Sequence, residues 1–109
     1  MIDYNHKTAT LTSSLFPHMF AHGFGTRMSG DGRDPQSIKN YLSAQKITYT
    51  TFVDPGQMHS DRIVLVRAKS VEMTDINGCD GLCTGDKGVC LSIITADCAP
   101  IIYADLKKN

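Results

Sequence analysis

The sequence predicts an α+β domain, a mixed β-sheet with one clear helix. Three observations carry this. Several short runs are rich in β-branched and aromatic residues and end in Gly, Pro, Asn or Asp. One segment alone has helical spacing together with an N-terminal cap. Hydrophobic residues make up 41% of the chain and charged residues 20%, the balance of a globular domain. A length of 109 residues makes one domain, 1–109, the expectation.

Taken in order, residues 1–17 are polar and Thr/Ser-rich and read as a leader or a first strand. In "MFAHGFGTR" (19–27), Phe20, His22 and Phe24 would share one face of a strand, because strand side chains alternate. Gly23 and Gly25 thin the other face and mark either a bulge or a close approach of another backbone. "MSGDGRDP" (28–35) is a loop. The helix is placed at 35–45: Asp34 is its N-cap, Pro35 suits the first helical position, and Ile38, Tyr41, Leu42 and Gln45 follow at helical spacing. "ITYTTFV" (47–53) is a strand, Asp54-Pro55-Gly56 a turn and "RIVLVRA" (62–68) another strand. Residues 70–88 read as loop, with turns at Asn77-Gly78 and around 85–88. "VCLSIITA" (89–96) is a buried strand and "PIIYAD" (100–105) a further one. The chain then stops at "LKKN", leaving that last strand as an uncovered edge. Such an edge points to a larger assembly, through self-association or a partner chain.

Charge narrows the function. Eleven basic residues balance eleven acidic ones, which argues against nucleic acid and against polybasic membrane attachment. No run approaches the ~18 apolar residues of a membrane span. The first twenty residues lack the order of a signal peptide, so a cytoplasmic location is expected. Four cysteines in that setting are thiols or metal ligands rather than a disulfide framework.

Three residues sit at joints between expected strands: His22, His59 and Cys98. Imidazole and thiolate suit tetrahedral Zn²⁺. The same pair would suit a Cys-His nucleophile couple, with Cys98 attacking and a histidine taking its proton. Cys90, between Val89 and Leu91, reads as a small buried hydrophobe. A site built from Cys79, Cys83, Cys90 and Cys98 lacks the two tight knuckles of a four-cysteine zinc centre. Asp97 reads either as an acid or as a turn former.

Four stretches resemble, in order, the multicopper polyphenol oxidase or laccase-domain family, whose members are described as zinc-dependent purine nucleoside phosphorylases that also deaminate adenosine. "HGFGTRMSG" (22–30) is similar to its HGFSTRxGG opening, and 30–47 to its GDDPEAVAENRxxLxxxLGI helix. "QMHSDRIVLV" (57–66) is similar to QVHGTDVVVV. Residues 79–105, with "TADCAP", resemble ADALVTxxPGLALAVLTADCVPVLLAD. The resemblance covers 22–105 and corresponds to the first half of a family member, so the fold it implies is an incomplete half of a larger one.

The resemblance implies that His59 and Cys98 are zinc ligands and catalytic residues. It implies substrate-binding roles for His22, Arg27 and Asn40. The third family ligand, the histidine of an HAGWRG motif, is absent from these residues. Tyr41 stands where the family has arginine, Ser60 replaces the glycine of QVHG, and the NLG-containing loop is missing. The implied reaction is phosphorolysis of adenosine or inosine, with adenosine deamination beside it; nucleoside and phosphate are the implied partners. Two alternatives stand: a metal-free cysteine hydrolase using Cys98, and an inactive half-domain acting through a partner. A copper laccase is disfavoured, because the chain has four histidines and none in H-x-H spacing.

Overall fold

The computed structural model describes residues 1–68 and 76–107 and contains nine short strands and one α-helix. This mixed content agrees with the α+β class. The chain divides into two units, Met1–Thr48 and Tyr49–Asn109.

The first unit opens with a hairpin. β1 (Ile2–Asn5) pairs antiparallel with β2 (Thr10–Ser13), with Asn5 opposite Thr10. The turn between them is built by Asn5, whose side-chain oxygen accepts from the Lys7 and Thr8 amides at 2.9 and 3.3 Å. The strand expected over 19–27 shrinks to β3 (Phe24–Gly25), which pairs with Leu11 and Thr10 of β2. Thr26 and Ser29 then cap a short 3-10 turn at Arg27–Ser29.

The helix stands where the sequence places it. α1 spans Pro35–Ala44, and Asp34 accepts from the Ser37 amide at 3.0 Å and the Ser37 hydroxyl at 2.9 Å. It ends in a Schellman arrangement: the Ile47 amide donates to Leu42 O and the Lys46 amide to Ser43 O, both at 3.0 Å. That geometry needs a left-handed residue, and Lys46 supplies it with φ +56° where glycine is usual. The helix buries Leu42 against the unit, with Ile38 and Tyr41 half-buried on the same stripe. Thr10 is wholly buried; its hydroxyl donates to Thr8 O and accepts from Nε2 of the Gln45 side chain. Gly23 has a specific reason to lack a side chain, since a Cβ there would lie 2.8 Å from the Tyr41 hydroxyl oxygen and 2.9 Å from Thr10 Cγ2.

The second unit consists of three parallel two-stranded pairs. β4 (Thr51–Val53) pairs with β9 (Val89–Leu91), β5 (Pro55–Gly56) with β7 (Ile76–Asn77), and β6 (Ile63–Leu65) with β8 (Gly81–Cys83). Its buried side chains are Val53, Pro55, Val66 and Cys79. The strands are shorter than the apolar runs. The expected 47–53, 62–68 and 89–96 become 51–53, 63–65 and 89–91, because pairing ends where the partner ends. Asp54-Pro55-Gly56 is not a free turn: Pro55 and Gly56 run extended beside Ile76 and Asn77. The expected loop at 70–88 holds β7 and β8, and its part at 70–75 lies outside the described residues.

The strand expected at 100–105 does not form. Ile101 is 69% exposed and Tyr103 88%, and the described residues offer no strand to hydrogen-bond with them. An unpaired extended segment gains no ladder hydrogen bonds, so apolar composition alone does not make it a strand.

Two substitutions test this packing. Lys46→Gly relieves the left-handed backbone and is expected to raise stability by about 0.5–1 kcal/mol, read from denaturant midpoints. Gly23→Ala forces the Tyr41 ring or Thr10 to move and is expected to cost about 1–3 kcal/mol by the same measurement.

Candidate functional site

His59 lies in the connection 57–62 between β5 and β6, and the β7–β8 connection brackets that segment from the side. The Gly78 amide donates to Gly56 O at 2.8 Å before the loop, and the Asp80 amide donates to Arg62 O at 3.1 Å after it. Inside this bracket the chain turns sharply, with His59 in the left-handed region at φ +61°. Such a turn points successive N–H groups the same way, and they need an acceptor.

Asp80 supplies that acceptor. Its carboxylate receives the amides of Met58 at 3.2 Å, His59 at 3.1 Å and Ser60 at 2.7 Å, and the Ser60 hydroxyl at 2.7 Å. The Ser60 hydroxyl, the Ser60 amide and the other two amides hold the carboxyl well below its ordinary range, at about 2. Ser60, where the family has glycine, therefore has a local use: it adds a fourth donor to this carboxylate.

A second side chain ties the loop to the segment that carries Cys98. Gln57 Nε2 donates to Ile94 O at 2.8 Å, and the Ile94 amide donates to Gln57 Oε1 at 2.8 Å. The side-chain amide thus takes both backbone groups of Ile94, as a neighbouring strand would. The Ser92 amide still donates to Val53 O at 2.9 Å, and beyond Ser92 the chain leaves the ladder. Asp97, Cys98 and Pro100 follow, all exposed. The loop of His59 and the segment leading to Cys98 are fastened through one glutamine.

Neither the His59 ring nor the Cys98 thiol has a hydrogen-bond partner among the described residues, and both are exposed. In kind they suit zinc, one nitrogen and one sulfur donor. In number they fall short of a closed site, since no three His, Cys, Asp or Glu side chains gather for a metal among the described residues. All four cysteines are free; Cys79 is buried, and burial pushes the Cys90 thiol pKa up.

The remaining predicted residues lie in the first unit. The His22 ring is engaged on both sides: Nε2 accepts from the Ser13 amide at 2.9 Å and Nδ1 lies 3.1 Å from Phe20 O, while Phe16 packs on the ring at 4.7 Å. This selects the Nδ1–H tautomer and makes His22 a fastener of the 13–22 segment. Arg27 is exposed on the 3-10 turn. Asn40 is exposed on α1 and accepts from Gln36 Nε2 at 2.9 Å. Tyr41 turns inward to Gly23, and burial raises its phenol pKa.

Asp80 and Gln57 are the residues that sequence reasoning missed. Both stand inside the motifs used above, but their partners lie about twenty and thirty-seven positions away, at a range no local pattern reports.

A model of the family described as multi-copper polyphenol oxidoreductase laccase matches residues 25–109. The chain belongs to this family. Its curated relatives are named purine nucleoside phosphorylases. LACC1 of Homo sapiens is 28% identical over 94% of this chain and 28% of its own length. A Corynebacterium glutamicum protein is 25% identical over 68% of the chain and 32% of its own. One from Mycobacterium bovis is 37% identical over 50% of the chain and 21% of its own. The chain therefore spans less than a third of the length of these relatives. No solved structure matches it. No helix among the described residues is long and apolar enough to cross a membrane.

The four donors on Asp80 set a testable expectation. Its carboxyl is expected to titrate near pH 2 in a carbon-detected NMR titration. Because the folded pKa is depressed, the stabilisation is complete above the ordinary carboxyl range and fades as pH falls through about 2. Ser60→Ala removes the largest contributor and is expected to move the titration upward.

Proposed function

We propose that this chain forms part of a purine nucleoside phosphorylase-type enzyme, with zinc held by His59, Cys98 and a third ligand from outside these 109 residues. The observation that carries the reading is the Gln57–Ile94 pairing, which fastens the His59 loop to the segment of Cys98 while leaving both donors free. Family membership and the relatives' names support the reaction class.

The reaction is phosphorolysis of adenosine or inosine: phosphate attacks the ribose anomeric carbon, and the purine base departs. Adenosine deamination is the companion activity. Zinc, when bound, supplies a Lewis acid that polarises an oxygen nucleophile. Arg27 is the chain's candidate for phosphate, and Asn40 would serve the nucleoside with its side-chain amide. His22 would have to give up a backbone hydrogen bond to touch substrate. Tyr41 cannot replace a guanidinium on phosphate, because a phenol brings neither charge nor a fork of donors.

The same reading accounts for the exposed apolar tail. Ile93, Ile101, Ile102, Tyr103 and Leu106 are all exposed large hydrophobics in one stretch. In a larger family fold, further strands, in the same chain or in a partner, would cover them.

Zinc per chain after exhaustive dialysis tests the site. About one zinc in the parent, lost in both His59→Ala and Cys98→Ala, is expected. Release of adenine or hypoxanthine that depends on added phosphate would extend the reading to catalysis. A parent that retains no zinc would end the zinc-ligand assignment for this chain, while family membership would stand.

A further inference from the structure

The acceptor of the His59 turn is not among the residues that the family resemblance assigns. Three consecutive amides, Met58, His59 and Ser60, converge on one carboxylate together with the Ser60 hydroxyl. The carboxylate is itself fixed. Its own amide is held by Arg62 O at 3.1 Å, and two residues earlier the Gly78 amide is held by Gly56 O. Gly78 takes φ +79°, and a Cβ there would sit 3.2 Å from Met58 Sδ, so the β7–β8 connection closes tightly on this loop.

A left-handed conformation costs a non-glycine residue about 1–2 kcal/mol, so it persists only where other contacts fix it. At His59 the contacts on both flanking amides run to Asp80. Without that acceptor, the turn would relax toward extended backbone and carry the imidazole elsewhere.

We propose that Asp80 is the positioning residue for His59: its carboxylate sets the backbone turn that carries the imidazole, and so the geometry at which a metal ion meets the ring. The inference rests on the reading of His59 as a metal ligand. Asp80 touches neither metal nor substrate here; it acts through the three amides. Residues that orient a ligand in this way typically change metal affinity by about 10–100-fold when replaced.

The test uses the full chain and Asp80→Asn, which keeps size and one acceptor oxygen but sets an NH₂ against donors. Amide hydrogen exchange and the His59 Cα and Cβ shifts report the turn; zinc ion alone, competed against a chromophoric chelator, reports the ligand. Exchange at Met58, His59 and Ser60 is expected to accelerate about tenfold or more, with the Ser92 amide, which donates to Val53 O in the same unit, unchanged as the folding control. Zinc affinity is expected to fall about 10–100-fold, with an altered Co²⁺ absorption spectrum. Ser60→Gly removes one donor of four and is expected to shift the same readouts in the same direction by less. It decides the matter if Asp80→Asn fails to fold. Unchanged His59 shifts and exchange in the variants would overturn the proposal, as would zinc affinity equal to the parent's. If the parent itself binds no zinc, the ligand reading fails, and the exchange and shift data alone decide whether Asp80 sets the turn.

Discussion

Four hydrogen-bond donors converge on the Asp80 carboxylate, and the 57–62 connection of the second unit is held by that convergence. A backbone that bends through a left-handed residue exposes several N–H groups at once. Water could satisfy them, but would not fix their direction. A carboxylate on a paired segment does both, because its two oxygens accept several bonds and its own backbone is held by Arg62. The charge-assisted bonds to Ser60 are the shortest of the set, and they explain how a serine fits where the family has glycine.

Around that point the second unit is economical. Its strands come as parallel pairs, an arrangement that ordinarily needs cover on both faces. Here Ile63 and Leu65 remain 69% and 54% exposed. Side chains therefore take over work that backbone ladders do elsewhere. Gln57 receives both polar groups of Ile94, Asp86 accepts the Ala68 amide, and Asp80 gathers the loop. In the first unit, Thr10 plays a comparable part as a buried hydroxyl shared between the hairpin turn and the helix end.

The exposed run after Ile94 joins the fold to the functional reading. It leaves the Cys98 thiol exposed, in a stretch whose Ile93, Ile101, Ile102 and Tyr103 are also exposed. Cys98 lies outside the ladder, and Pro100 has no N–H to return to one. The matches to the family's relatives cover less than a third of those relatives' length.

The sequence by itself determined the helix, from Asp34 and Pro35 through Leu42, because capping and helical spacing are local and act within a few residues. It determined the family too, through motifs that carry His59 and Cys98. It placed the turns at Gly78 and Gly88, where positive φ calls for glycine. The lengths of the strands were not legible, since a strand ends where its partner ends, and the partners of β4, β5 and β6 lie far along the chain. Composition made 100–105 look like a strand, and only the tertiary structure left it unpaired. The tertiary structure alone also decided that His22 fastens a loop, that Tyr41 faces Gly23, and that Asp80 and Gln57 hold the segments of the candidate site. Each of these is a contact between residues distant in sequence, and no local periodicity encodes which acceptor a given N–H will meet.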